Sequence, residues 1–580
     1  MEPPGEAPQD EPETTISSGS AAASARPPSE TDAPASEHTV IRAGSPTPPG
    51  GAVPIGAGGY GAPDAQIAAT PRSLWWRFVA GSILIITATA TAVALSSLLF
   101  LTDVAARLQP IPSVKKDLVT LNPGDPQTIL IVGSDERSGT PGDPGRSDTT
   151  MLLRVDAEKE VLSLFSLPRD LKVDIAGDKY GVGRLNEAFT DGGVQKTLQT
   201  VQDLTGLEIN HVVNVDFQGF ADAVDAIGCV YVDVDRDYFN DNAGLYGDQE
   251  YAEIDVNAGY QRLCGLNALA YVRFRHDDND IVRAARQQDF LSQARQQVPV
   301  REVLPVIGGG DLSNKLIDIF TKYTRSDIRD PGEVIAVLKA FVGVIDVPIK
   351  EVHFNGNLDA VDPSGIAYVT ATDKQIDKAV EEFLGEEDTD GPRGGAGGSA
   401  NQEKPSKSKK KKGKGGSKDG LDEAAVVDAD PAVARFAATS ARRLDLPIFY
   451  PKLMAGDSTF ASTYDAGSRQ YDIRDEDDKK QPAYKMVVQY TSPETVPEYY
   501  GVEGTSWEDP PILDNPSETR EIDGRDYELF YAGDRLRLVA WHDDGNSYWV
   551  SNTLLQTLDE PQMLGIATSM KKYEQKEKKK

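Results

Sequence analysis

Thr128-Ile129-Leu130-Ile131-Val132-Gly133-Ser134-Asp135-Glu136-Arg137 decides the fold. The first five residues are β-branched or aliphatic, a run too apolar for a solvated surface, and Gly133-Ser134 ends it on a charged loop. In open α/β sheets ligands bind where strands give way to loops, which makes Asp135 a candidate functional residue. Two more strands are predicted over 149–155 and 161–167. The first is entered through Arg146-Ser147-Asp148 and the second is left through Pro168-Arg169-Asp170, so charged residues gather at strand ends rather than strand middles. Further along, Val194, Leu198, Val201 and Leu204 recur at helical spacing up to Thr205-Gly206, and a strand follows over 211–215. A helix over 217–227 stops at Gly228, and Val230, Val232 and Val234 alternate as a strand. Two more helices are expected over 269–275 and 280–298. This mixture predicts an α/β fold, a sheet flanked by helices.

Outward from this region the chain changes character. It has 580 residues, 39% of them hydrophobic, enough for two globular domains plus tails. The net charge of −31 argues against nucleic acid, whose affinity comes from clustered Lys and Arg. Residues 1–72 are rich in Pro, Gly, Ala and acidic residues and read as a disordered cytoplasmic tail. The apolar run over 74–102, with no charge between Arg77 and Asp103, is long enough for one transmembrane helix, with Arg72, Trp75, Trp76 and Arg77 as its cytoplasmic and interfacial edge. A cleaved signal peptide is the rival reading. Arg107, Lys115 and Lys116 on the far side weaken the charge rule, yet the short tail is read as inside and the bulk as extracytoplasmic at a bacterial cell membrane. A juxtamembrane stalk (103–126), the α/β domain (127–384), a low-complexity Gly/Lys linker (385–429), a C-terminal domain (430–571) and a basic tail (572–580) complete the organisation.

The residue types at the strand ends suit a magnesium pyrophosphate. Carboxylates such as Asp135 and Asp148 are hard oxygen ligands, and planar guanidinium groups grip phosphate oxygens two at a time. Arg273 and Arg275 stand two residues apart, while Arg283 and Gln287 share a helix face by their spacing of four. Spacing alone leaves a second reading open, in which these arginines pair with Asp277, Asp278, Asp280 and Asp289 on a solvated surface. His211 lies in a strand pattern and reads as structural.

The ordered set Gly133-Ser134-Asp135-x-Arg137, Arg146-Ser147-Asp148-Thr149, Leu167-Pro168-Arg169-Asp170, Arg184-Leu185-Asn186-x-Ala188-Phe189, Ala270-Tyr271-Val272-Arg273-x-Arg275 and Arg283-x-x-Arg286-Gln287-Gln288 resembles the LytR-CpsA-Psr family of cell-envelope proteins. The resemblance covers roughly 127–384 and rests on general helical character after about 297. It implies a central mixed sheet flanked by helices, with an apolar pocket for a polyprenyl chain below a charged mouth. Carried over by position, Asp135 and Asp148 would bind Mg²⁺ or Mn²⁺, with Asp135, Asp148 and Arg169 catalytic. Arg146, Arg169, Arg273, Arg275, Arg283 and Gln287 would hold phosphate oxygens. Arg184 stands where the family often has Lys, so the charge is kept while its geometry differs. The implied activity moves a glycan phosphate from a polyprenyl-pyrophosphate carrier to a peptidoglycan hydroxyl. A lipid-pyrophosphate binder or hydrolase without transfer, or a membrane-bound regulatory attenuator, are the alternatives.

No Gly-x-Ser-x-Gly elbow, phosphate-binding Gly-x4-Gly-Lys loop or His-Glu-x-x-His helix occurs. The two cysteines, Cys229 and Cys264, are expected to pair in an oxidising compartment, two buried thiols being the alternative. In the C-terminal region a helix over 432–444 and strands over 484–490, 527–531, 535–541 and 548–551 predict a small antiparallel α+β domain. Ala532-Gly533-Asp534 and Asp543-Asp544-Gly545-Asn546 supply hairpin turns. No catalytic constellation is evident there, and a wall- or protein-binding accessory and a structural cap are both open.

Overall fold

The structure, a computed structural model, describes residues 99–120, 124–135, 145–177, 181–243, 253–274, 279–298, 311–345, 347–354, 356–361, 367–385, 425–461, 467–491 and 497–574, with isolated positions between 82 and 95. The tail over 1–72, most of the apolar run over 74–102, residues 386–424 of the linker and the basic end over 575–580 lie outside them. Among the described residues no helix is long and apolar enough to cross a membrane.

Up to residue 385 the element order begins with strands β1 (Gln109–Pro110), β2 (Gln127–Ser134), β3 (Ser147–Asp156), β4 (Val161–Leu167), β5 (Lys172–Asp174) and β6 (Val182–Arg184). Helix α1 (Leu185–Thr205), strand β7 (His211–Asp216), helix α2 (Phe217–Ala226) and strands β8 (Val230–Val234) and β9 (Gly259–Leu263) follow. Then come helices α3 (Gly265–Arg273), α4 (Asp280–Gln297) and α5 (Asp311–Tyr323), strand β10 (Thr324–Ser326), helix α6 (Pro331–Gly343), strand β11 (Lys350–Val352) and helix α7 (Asp373–Phe383).

Seven of these strands form one sheet in the order β1-β10-β7-β2-β3-β4-β11. Pairing is parallel at β1/β10, β7/β2 and β4/β11 and antiparallel at the other junctions, so the sheet is mixed, as expected. Leu130, Val132, Leu152 and Phe165 build the core with Leu198 and Val201 of α1. The antiparallel run β2-β3-β4 has a direct consequence for function. Ser134 pairs with Ser147 and Thr150 with Leu167, which brings the end of β2, the start of β3 and the end of β4 to one end of the sheet.

Helix α1 begins nine residues before the periodicity signals it. Leu185, Ala188 and Phe189 are already buried, but Gly192 and Gly193 interrupt the helical dihedrals and hide the register. Gly206 closes α1 in the left-handed region at φ 68°, where a side chain would be strained. Cys229 and Cys264 are disulfide-bonded, joining the turn after α2 to the residue that caps α3.

The C-terminal region has helices α8 (Pro431–Ser440) and α9 (Glu560–Thr568) and strands β12 (Ser458–Ala461), β13 (Arg469–Arg474), β14 (Lys480–Tyr490), β15 (Glu498–Thr505), β16 (Glu518–Ile522), β17 (Arg525–Ala532), β18 (Arg535–Asp543) and β19 (Asn546–Ser551). They form an antiparallel sheet in the order β12-β14-β15-β19-β18-β17-β16, with β13 added against β14. The β18–β19 hairpin turns through Asp544 (φ 53°) and Gly545 (φ 73°), both left-handed, as a two-residue turn matched to strand twist requires. One face of this sheet, including Tyr484, Tyr500, Trp541 and Tyr548, packs with Val433 of α8 and Met563 of α9.

Candidate functional site

Asp148, the second residue of β3, is the hub of the charged end of the central sheet. Arg169, just past β4, bonds its Oδ1, and an Nη of Arg273 at the end of α3 donates to its Oδ2 at 2.9 Å. Arg283, in the first turn of α4, donates to the Asp148 backbone carbonyl at 3.2 Å and is paired with Asp280. Burial alone would raise the pKa of Asp148, but Arg169, Arg273 and Arg283 outweigh it and hold the carboxyl below its usual range. Thus two guanidinium groups bond the Asp148 carboxylate and a third bonds its backbone carbonyl.

A second carboxylate pair lies beside this hub. Asp170 accepts no hydrogen bond at Oδ1, which lies 3.7 Å from Nε of Arg169 and 3.8 Å from Nε of Arg184. Its backbone N–H donates to Asp280 at 3.2 Å. Burial, and then the neighbouring Asp280, push the Asp170 carboxyl above its usual range despite the arginines. Across the mouth, Asp135 accepts the Arg146 backbone N–H, and its own N–H returns a bond to the Arg146 carbonyl at 3.1 Å. This double clasp fixes the loop ends while the Arg146 side chain stands exposed.

The arginines are only partly satisfied. The Nε atoms of Arg169, Arg184, Arg273 and Arg283 are buried without a hydrogen-bond acceptor. An unmet buried donor costs about 1–3 kcal/mol, so four of them at one end of a sheet amount to a demand for an anion with several acceptor oxygens. Counting Arg146, exposed beside the Asp135 loop end, five guanidinium groups lie at this end of the sheet with the four carboxylates of Asp135, Asp148, Asp170 and Asp280. That small positive excess cannot neutralise a pyrophosphate diester, and a divalent cation suits the balance. The carboxylates fit such a cation in kind. Both oxygens of Asp148 are already engaged by arginines, so it would serve as a ligand only if one guanidinium gave way.

Asp135, Arg146, Asp148, Arg169, Arg184, Arg273 and Arg283 therefore gather at one end of the sheet, as the sequence led one to expect. Arg275 lies outside the described residues. Gln287 is placed differently: it is buried, and its amide donates to the Val272 carbonyl at 3.1 Å, pinning α4 to α3 instead of facing the mouth. Arg286 is fully buried and donates to the carbonyls of Tyr271 and Phe274 at 3.2 and 2.9 Å, shaping the turn after Arg273. Sequence reasoning placed Asp170 at a strand end and offered Asp280 as a partner of the arginines on a solvated surface; the Arg283–Asp280 pair is present but buried, and Asp170 joins it. Sequence reasoning could not have found Phe217, whose ring lies 4.1 Å from the Arg273 guanidinium. His211 bonds Asp327 at 3.0 Å within the fold, in a structural role.

The chain is similar to known proteins. The family model LytR_cpsA_psr matches residues 102–383. A protein of Halalkalibacterium halodurans described as polyisoprenyl-teichoic acid–peptidoglycan teichoic acid transferase TagU is 34% identical over 223 residues, 38% of this chain and 67% of that protein. Transferase TagV of Bacillus subtilis, described by the same activity, is 34% identical over 170 residues, 29% of this chain and 42% of its own length. The chain thus matches less than half of the TagV sequence. The crystal structure of B. subtilis TagV aligns at 24% identity and a TM-score of 0.36 over 45% of this chain and 97% of that one.

Proposed function

The chain belongs to the LytR-CpsA-Psr family, and on that premise we propose that it is a membrane-anchored transferase of envelope biogenesis, moving a glycan phosphate from a polyprenyl-pyrophosphate carrier to a peptidoglycan hydroxyl. The observation that carries the reading is the arginine-held Asp148 among four guanidinium Nε donors that lack acceptors. The named activity of the two relatives, a teichoic acid transferase acting on peptidoglycan, supports the class of donor and acceptor.

In this reaction the acceptor oxygen bonds to the glycan-linked phosphorus as the bond to the bridging oxygen breaks, and polyprenyl monophosphate leaves. Such transfers depend on positioning and on stabilising negative charge that spreads over phosphate oxygens. Arg273 and Arg283 approach from helices and Arg169 from a strand end, so the oxygens are held from more than one side. Asp135 and Asp148 would hold Mg²⁺ or Mn²⁺, which would supply further charge neutralisation. Asp148, held low, is a poor proton acceptor, whereas the raised Asp170 is better matched to taking the acceptor's proton. The apolar run over 74–102 would anchor the chain with its N-terminus inside and the site outside.

The test uses the full chain in detergent with a short-chain lipid-pyrophosphate glycan, peptidoglycan oligomers and Mg²⁺, and follows glycan phosphate on the acceptor by mass spectrometry. Product is expected from the wild type and not from Arg169→Ala or Asp148→Ala. Release of free glycan phosphate, with none on the acceptor, would instead identify a hydrolase.

A further inference from the structure

Helix α4 carries Arg283 in its first turn and spans 18 residues, about 27 Å at 1.5 Å per residue. Its second half, although Gln296 there is exposed, is tied to a neighbouring strand. There Gln293 accepts the Asp233 N–H at 3.0 Å, while Gln297 accepts the Tyr231 N–H at 2.7 Å and donates back to the Tyr231 carbonyl at 2.6 Å. Two side-chain amides thus dock the edge of β8 onto α4.

The other side of β8 faces the C-terminal sheet. Lys485 of β14 is fully buried, bonded to Asp233 and 3.4 Å from Glu503, and Trp549 Nε1 donates to Asp233 at 3.3 Å. Burial and the charge of Asp233 push the Glu503 carboxyl far up, while Lys485 holds Asp233 low against its own burial. Around this pair Tyr231 and Tyr260 form one apolar cluster with Ile473, Leu538, Phe530 and Trp549. Tyr231 donates to the Arg474 carbonyl at 2.8 Å, and Ile512 N–H donates to the Tyr260 hydroxyl at 3.1 Å. A second bridge lies alongside: Glu351 of β11 accepts from Ser292 of α4 at 2.6 Å and from Gln556 of the C-terminal region at 3.3 Å.

We propose that the C-terminal region is a built-in part of the catalytic unit, whose sheet supplies the buried cation and aromatic face that hold β8 and α4, and so position Arg283 at the charged site. Its role is positioning, in place of a tethered accessory reaching for the wall. The logic is one of completion. Asp233 belongs to the first region, and removing Lys485 with the sheet would leave that carboxylate without its cation beside an uncovered aromatic surface. The docking stands independently of the transferase reading, and only its consequence for phosphate binding rests on that reading.

The first experiment inserts a specific-protease site between Gly415 and Gly416 of the full chain, cleaves it completely and runs size-exclusion chromatography. The two pieces are expected to elute together at physiological and at molar salt, since a buried pair and an aromatic core are little screened. Separation at physiological salt overturns the proposal. The second measures amide hydrogen exchange and farnesyl pyrophosphate binding in full-length Lys485→Met. Faster exchange concentrated in α4 and an affinity about tenfold lower are expected, a coupling typical between linked sites. A folded variant with unchanged α4 exchange and unchanged binding removes the positioning role. Should Lys485→Met fail to fold, Trp549→Phe, which deletes the donor to Asp233 and trims the buried ring, is read by the same two measurements. Absence of transfer by the intact chain, with pieces that still elute together, would count against the transferase reading and not against the docking.

Discussion

Arg273 shows how much one side chain carries. It donates to Asp148, lies against the Phe217 ring and has a buried Nε without an acceptor. Arg273→Ala should therefore lower farnesyl pyrophosphate affinity by roughly tenfold or more, the 1.5–3 kcal/mol typical of hydrogen bonds to charged groups. Arg273→Lys should restore little, because an ammonium cannot bridge two acceptors as the planar fork does. Titration calorimetry on the full chain checks both. The same pair sets a pH dependence. The folded pKa of Asp148 is depressed, so the stability it contributes is present above its ordinary value, about 3.9, and is lost as pH falls through the lower folded value. Removing Arg273 should bring that acid loss to higher pH, read as a shifted Asp148 carboxyl resonance in NMR. An unmoved resonance would mean Arg169 and Arg283 suffice.

At the scale of elements, the strands of the site were legible because their apolar runs end on charged loops, and β4 runs from Val161 to Leu167 as read. Helix α4 was legible as a helix and not as a buried one. Its sequence, DIVRAARQQDFLSQARQQ, reads as a solvated charge run, yet 13 of its 18 residues are buried. The reason is that its polar side chains end on partners no local pattern encodes: Gln288 alone donates to the carbonyls of Leu164 and Val352, at 3.2 and 3.1 Å, on neighbouring strands. Docking of the C-terminal sheet was hidden for a related cause. Lys485 and Glu503 look like solvent-side positions of alternating strands, and only the tertiary partner Asp233 makes them interior. The disulfide belongs to this scale too, since it ties the start of α3 to the turn after α2 while the far end of α3 presents Arg273. With a sequence separation of 35 between its ends, Cys229→Ser/Cys264→Ser should cost about 4 kcal/mol in the chain-entropy model, seen as a lower denaturant midpoint. A midpoint that does not move would show that packing around β8 and β9 already confines this loop.

Across the whole molecule, the two regions meet around a buried carboxyl whose titration should report on their union. Asp289 of α4 is pushed up to about 7, by burial and then by Glu351, with Asp233 adding to the rise and Arg537 of β18 and Gln293 opposing it. His353 lies 3.8 Å from Glu351, and Tyr271 also interacts with Asp289. Because the folded pKa is raised, Asp289 is held neutral in the fold, and its favourable contribution is complete below the unfolded value near 3.9 and is lost as pH rises through about 7. Stability should therefore fall with pH across that window, with a slope approaching about 1.4 kcal/mol per pH unit for one proton. Asp289→Asn keeps the shape, cannot ionise and should flatten the slope while matching the wild type near the acid end. Denaturant midpoints of the full chain at several pH values measure this directly. If the variant keeps the wild-type slope, the titrating group lies elsewhere, with the raised Glu503 next to examine. If the slope flattens in the intact chain, the carboxyls at the junction set the pH range in which the C-terminal sheet holds α4, and with it Arg283, in place.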